Sequence, residues 1–195
     1  EQLSLNWLDL SINKKCDNPI KVLALPNVLN DVNALSTKYG SIFDYYESLN
    51  LIKRKSVNKR IVINDIKITF VPANEEATVT IFIFEQNGKK LIYAPCDVKP
   101  FPNSRLFYDA DYLIIGNTII GNILKNNFYL TKNNPLNLEL FSFEEVLELK
   151  AKYNIQNVII THLEEDWGKS YDDYLNYEKE CIAVKFAYDG MTIEL

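Results

Sequence analysis

The chain has little of what most catalytic and metal-binding signatures are built from. Its 195 residues include one histidine and three cysteines. The cysteines, Cys16, Cys96 and Cys181, are odd in number, widely spaced and without a Cys-x-x-Cys pair. That argues against a disulfide framework and a cysteine-only zinc site, and it fits a reducing, cytoplasmic setting. There is no Gly-x-Ser-x-Gly elbow, which excludes a serine hydrolase of that build. The segment from Gly116 to Gly121 lacks the Lys-Ser/Thr pair that completes a phosphate loop. Basic charge is in deficit: the net charge is -5, which argues against DNA and membrane surfaces as partners, since both require a basic face. A small anionic substrate stays compatible, because a metal ion can supply local positive charge. No apolar run is long enough to span a bilayer, and the first residues hold neither a basic region nor a signal-like core. The chain opens at Glu1-Gln2 without methionine, which reads as a processed or truncated product or a start that was not seen.

What is present describes a globular protein. Apolar residues make up 47% and charged residues 24%, and the length suits a single domain over 1–195. Leu3 to Leu10 is apolar at helical spacing. Ile20 to Leu25 reads as a strand, and Pro26-Asn27 starts a helix through Leu35, with proline early where its missing N–H costs little. Tyr39 to Leu49 is aromatic-rich, and Lys53-Arg54-Lys55 after it reads as a solvated loop. Arg60 to Ile63 and Ile66 to Val71 flank a tight Asn64-Asp65 turn. Thr78 to Phe84 and Lys90 to Ala94 form a hairpin around Gln86-Asn87-Gly88-Lys89. Asp111 to Ile115 and Asn157 to Ile160 are short apolar runs, as in strands buried on both faces. Between them Ser142 and Glu145 form a capping box for a helix from Phe143 to about Tyr153, with Phe143, Val146, Leu147 and Ala151 as its apolar face. A capped helix between two buried strands is a β-α-β unit. A further helix runs from Tyr171 to Cys181, and the chain closes through Val184 to Tyr188, an Asp189-Gly190 turn and Met191 to Leu195. The fold class is mixed α/β, hairpins first and β-α-β after.

Three post-strand loops carry ligand-type residues: Pro72-Ala73-Asn74-Glu75-Glu76, Pro95-Cys96-Asp97, and Thr161-His162-Leu163-Glu164-Glu165-Asp166. Strand ends are where α/β proteins place function, because a rigid sheet fixes geometry while loops vary. Imidazole with carboxylates suits zinc, manganese or iron. Each loop also has a plain structural reading: a solvated turn for Glu75-Glu76, a cap for Asp97, a structural imidazole for His162. Cys96 could bind metal or act as a nucleophile, but the sole histidine is distant in sequence and acids dominate nearby, so it reads as a small packed residue.

At these residues the chain resembles the metallo-β-lactamase superfamily, and within it the phosphonate-pathway cyclic phosphodiesterase branch and its archaeal relatives. Leu5-Asn6-Trp7 and Asn18-Pro19-Ile20-Lys21-Val22 resemble the segment just after the family's first metal motif. Phe70-Val71-Pro72 to Glu85 resembles its strand–loop–strand around the fourth-histidine position. Leu91 to Asp97 resembles the strand ending in the bridging aspartate, and Ile160-Thr161-His162 the strand ending in the last histidine. Phe186-Ala187-Tyr188-Asp189-Gly190-Met191 resembles the family's C-terminal turn.

The resemblance implies an αββα sandwich, here lacking its first strands, with two divalent metal ions (zinc or manganese) sharing a hydroxide that attacks a small cyclic or nucleotide-like phosphodiester. It implies that His162 binds the second metal and Asp97 bridges both. The fourth-histidine position falls at Asn74 or Glu75, with Glu75 favoured as the better donor. Glu165 stands where the phosphodiesterase has a second histidine that assists the leaving group, a task that asks a carboxylic acid for a raised pKa. Asp189 shapes its turn. The family's His-x-His-x-Asp-His motif is absent and its place falls upstream of Glu1, so further ligands are expected from outside this chain. The alternatives are a non-catalytic binding module of the same fold, with Phe43-Asp44-Tyr45-Tyr46 as a contact surface, or one half of a split hydrolase. A homo-oligomer is compatible with either.

Overall fold

The computed structural model describes residues 19–38, 40–73, 79–94 and 96–195. These group into two compact units, one ending at Lys59 and the other beginning at Arg60.

In the first unit, β1 (Ile20–Ala24) pairs in parallel with β4 (Ile52–Ser56). Between them lie α1 (Pro26–Ala34), the two-residue strands β2 (Ser36–Thr37) and β3 (Gly40–Ser41), and α2 (Ile42–Ser48). Pro26 starts α1, as its lack of an N–H predicts. Ser41 caps α2 by accepting from the Asp44 N–H. Phe43, Tyr46, Leu51 and Ile52 form the core, so two of the three aromatic residues in the Phe43–Tyr46 stretch are packed inward, while Tyr45 is half exposed. The basic run is a strand and not a loop. Arg54 lies in β4, where its guanidinium donates to Glu47, Asp44 and Asn33. Glu47 also accepts from the Arg54 backbone N–H at 2.7 Å. These bonds, led by the side-chain hydrogen bond from Arg54, hold the Glu47 carboxyl below the usual carboxylate range.

The second unit is built on a seven-stranded sheet in the order β11-β10-β9-β8-β7-β6-β5. Its antiparallel half is β5 (Arg60–Ile63), β6 (Ile66–Pro72), β7 (Thr80–Gln86) and β8 (Lys89–Ala94). Both hairpin turns take the left-handed backbone that matches strand twist: Asn64 and Asp65 in the first, Asn87 and Gly88 in the second. Its parallel half adds β9 (Tyr112–Gly116), β10 (Asn157–Thr161) and β11 (Val184–Phe186). The crossovers carry α3 (Leu136–Glu139), α4 (Phe143–Lys152) and α5 (Tyr171–Glu180). Parallel neighbours need such crossovers, because a hairpin cannot reverse the chain twice.

The expected capping box on α4 is present: Ser142 Oγ accepts from the Glu145 N–H and Glu145 accepts from the Ser142 N–H. The buried stripe is Phe143, Val146 and Leu149, while Ala151 faces solvent and Leu147 is half-buried. Ser170 and Asp173 form a second box on α5. The core runs across one sheet face through Ile83, Ile92, Leu113 and Val158, which are register neighbours. Among the described residues no helix is long and apolar enough to cross a membrane.

Candidate functional site

Strands β8 to β11 are parallel, so their C-terminal ends share one edge of the sheet. Because β7 runs against β8 and β6 against β7, Pro72 and Thr80 reach the same edge. The connections carrying Asp97, Asn117, His162 and Asp189 therefore leave the sheet together. Asp97, Asn117 and His162 all have left-handed φ, at 60°, 52° and 52°, a backbone uncommon for residues other than glycine and enriched for these polar types. Each turns the chain sharply away from its strand.

The edge joins residues far apart in sequence. Cys96 Sγ lies 3.0 Å from His162 Nδ1, and His162 Nε2 lies 2.9 Å from Glu164 Oε1. Cys96 is thus not merely a packed residue: the imidazole that was distant in sequence is beside it in space. The Cys96-Asp97 loop is fixed from below. The Lys99 ammonium donates to Glu145 at 2.7 Å and to the carbonyls of Asn137 and Leu140 at 2.7 and 3.0 Å, tying the loop to the capping box of α4. Val98 is buried beneath it.

Thiol, imidazole and carboxylate in this order can do two things. Thiol and imidazole are good donors to zinc, with Glu164 orienting the ring through its other nitrogen. Nucleophile, base and orienting carboxylate are also the parts of a thiol hydrolase.

The expected residues fare differently. Asp97 and His162 lie at the common edge. Glu75 and Asn74 lie outside the described residues. Among the described residues no cluster of three or more His, Cys, Asp or Glu could hold a metal ion, so these residues alone do not form the two-metal centre. Glu165 is exposed, and its carboxylate is bound by the Lys125 ammonium. That hydrogen bond holds the Glu165 carboxyl below the usual carboxylate range, opposite to what a proton donor to a leaving group requires. Asp189 lies within a turn that the Met191 N–H closes on the Tyr188 carbonyl at 3.0 Å.

Beside the edge is an open cavity of about 470 Å³, with Asn117, Leu124, Phe128, Leu140, Glu164 and Trp167 among its walls. Sequence reading missed Asn117; it placed Glu164 in a ligand-type loop without giving it a role, and it does not decide whether Trp167 lines a pocket or packs. The rule that strand ends carry function could have flagged Asn117, the residue that follows β9.

No protein-family model matches the chain, and no curated protein matches it. Solved structures do. The chain is similar to the metallo-β-lactamase fold protein YhfI from Bacillus subtilis, with 12% identity, a TM-score of 0.66, and coverage of 98% of this chain and 72% of that one. It is similar to Zn2+-bound PqqB from Methylobacterium extorquens, at 17% identity and a TM-score of 0.64, over 94% of this chain and 65% of that one. It is also similar to a diphosphatase of the PhnP family, at 10% identity and a TM-score of 0.58, over 89% and 57% respectively. The chain has the metallo-β-lactamase fold. It spans less than two thirds of the length of the last two proteins, one zinc-bound and one a diphosphatase.

Proposed function

We propose that the chain belongs to a metal-dependent hydrolase, with a small cyclic or nucleotide-like phosphodiester as substrate. The observation that carries this reading is the common edge of β8 and β10, where the Cys96-Asp97 loop meets His162 on a fold shared with a zinc-bound protein and a diphosphatase. His162, through the nitrogen facing Cys96, and Asp97 would hold metal, and Glu75 is the proposed third ligand on this chain. Zinc or manganese there would supply an activated water. Glu164 orients the imidazole. Glu165 enters as the anion that holds Lys125 and not as the proton donor.

Metal analysis of the protein purified at near-neutral pH tests this. Retained divalent ion and hydrolysis abolished by chelator are expected. A protein that binds no divalent ion would overturn the reading. Hydrolysis that survives chelator but not thiol alkylation would shift the site to the thiol mechanism. A second reading, a non-catalytic module or one half of a split hydrolase, is favoured by the incomplete donor set among the described residues. It fails if the chain alone hydrolyses a phosphodiester.

A further inference from the structure

We propose that the cavity beside His162 is a pocket for an uncharged heterocyclic ring, of the nucleobase class, carried by the non-reacting part of the substrate. That the ring belongs to a substrate rests on the hydrolase reading; that the pocket binds it does not.

Two buried polar atoms point to the ligand. Trp167 is 3% exposed and lines the cavity, yet its indole N–H has no hydrogen-bond partner among the described residues. The side-chain oxygen of Asn117, on the same cavity, is likewise buried and unpartnered. Buried polar groups are nearly always paired, so each such atom calls for an explanation. One is a donor and the other an acceptor. A group that satisfies both must present an acceptor and a donor together, as the amide or imide edge of a heterocycle does. The rest of the wall agrees: Leu124, Phe128 and Leu140 with the indole face offer apolar surface for a flat ring.

Charge argues for a neutral occupant. Glu164 and Asp166 line the cavity, and Lys125, its cation, is engaged by Glu165. The lining disfavours a phosphate, which belongs at the strand-end edge instead. The two sites are contiguous: Asn117 follows β9, the strand between β8 and β10, and Glu164 both lines the cavity and contacts the imidazole. The pocket is also preformed. A Cβ on Gly168 would lie 2.8 Å from the Lys125 nitrogen and 2.9 Å from its Cα, so the two wall segments meet backbone to backbone. The volume falls in the range of small-ligand sites.

Uridine, a nucleoside without phosphate, is the probe. It is titrated onto the protein while the Trp167 indole N–H resonance is followed by NMR, assigned against the W167F variant; affinities of the variants are measured by calorimetry. A saturable shift is expected from uridine and none from ribose 5-phosphate. Trp167→Phe and Asn117→Gly should each weaken uridine binding about tenfold, the effect of one lost hydrogen bond. Glycine keeps the left-handed backbone at 117, so that variant stands if the tryptophan variant folds poorly. No saturable shift, an equal shift with ribose 5-phosphate, or unchanged affinity in the variants would overturn the proposal. Uridine binding without hydrolysis of any phosphodiester supports the pocket and removes only the hydrolase reading. Hydrolysis of ring-free phosphodiesters with no uridine shift removes only the pocket.

Discussion

The two ends of β8, β9 and β10 contrast in how they treat polar groups. At the N-terminal end partners are supplied. Asp111, 9% exposed, accepts from the Lys90 N–H at 2.8 Å and the Lys89 ammonium at 3.2 Å. The Asn157 amide donates to the Asp111 carbonyl at 3.1 Å, and the Asn154 amide to Asp109 at 2.7 Å. At the C-terminal end Asn117, Thr118 and Trp167 keep buried polar atoms without partners among the described residues, and a thiol, an imidazole and a carboxylate converge half-exposed. A sheet can afford unsatisfied groups at one end only where the other end holds the strands. On the proposed reading the same strands serve stability below and chemistry above.

The strongest way to break this contrast is His162. Asparagine tolerates its left-handed backbone, so H162N should fold as the wild type does. The activity of a metal-dependent hydrolase should fall by at least the ~100-fold that loss of an outer partner alone can cost. Glu164→Ala, which removes that outer partner, should weaken metal binding about 10- to 100-fold. Calorimetric metal titration and thermal unfolding of both variants check this. A large loss of stability in H162N would mean that the upper end is structural too.

Asp111→Ala is the counterpart below. It should lower stability by about 1.5–3 kcal/mol, the scale of hydrogen bonds to a charged group, and leave metal affinity unchanged. The backbone hydrogen bond from Lys90, then the Lys89 ammonium, hold the Asp111 carboxyl below the usual carboxylate range. A depressed folded-state pKa contributes stability that is fully present above the unfolded value of about 3.9 and is lost as pH falls through the folded value. Denaturant unfolding of the wild type should therefore weaken in acid below about pH 4, and D111N should show a shallower decline. Parallel acid profiles would show that Asp111 does not carry the lower end.

Gly168→Ala probes the pocket wall at the upper end. The added Cβ meets the Lys125 backbone, and φ of 63° strains any side chain there. A cost of about 1–3 kcal/mol is expected, together with weaker uridine binding, both readable in one calorimetric series.

What was legible in the sequence divides by contact range, at both ends of the strands. Asn64-Asp65, Asn87-Gly88 and the Ser142–Glu145 box are local devices whose chemistry lies within four residues. The Cys96–His162 contact spans 66 positions and joins the loops of two strands that are not adjacent, with β9 between them. Strand order is a property of the whole sheet, so that pairing could not be read from either loop. Lys53-Arg54-Lys55 misled for a related reason: a charge run looks solvated until Glu47 and Asp44 on a helix seven and ten residues earlier take up its arginine. The edge itself was legible, since ligand-type residues followed the strands, but its partners were not.

The smallest expected effect separates two roles for one carboxylate. Glu165 stands where the family resemblance puts a group that assists the leaving group, yet it is exposed and bound to Lys125. The same pairing, through the side-chain hydrogen bond that Lys125 donates to Glu165, raises the Lys125 ammonium above its usual range while it lowers the carboxyl. A proton donor poised for neutral pH needs the reverse shift. Exposed ion pairs are weak and screened by salt, so Glu165→Gln should change hydrolysis within about fivefold, with any change fading as ionic strength rises. Loss of a true general acid costs about 10²–10⁴-fold and removes the basic limb of the pH–rate profile. A loss of that size, salt-independent, would mean that substrate displaces Lys125 and restores Glu165 to the reacting edge, extending the functional end of the strands to the loop that here only braces the pocket wall.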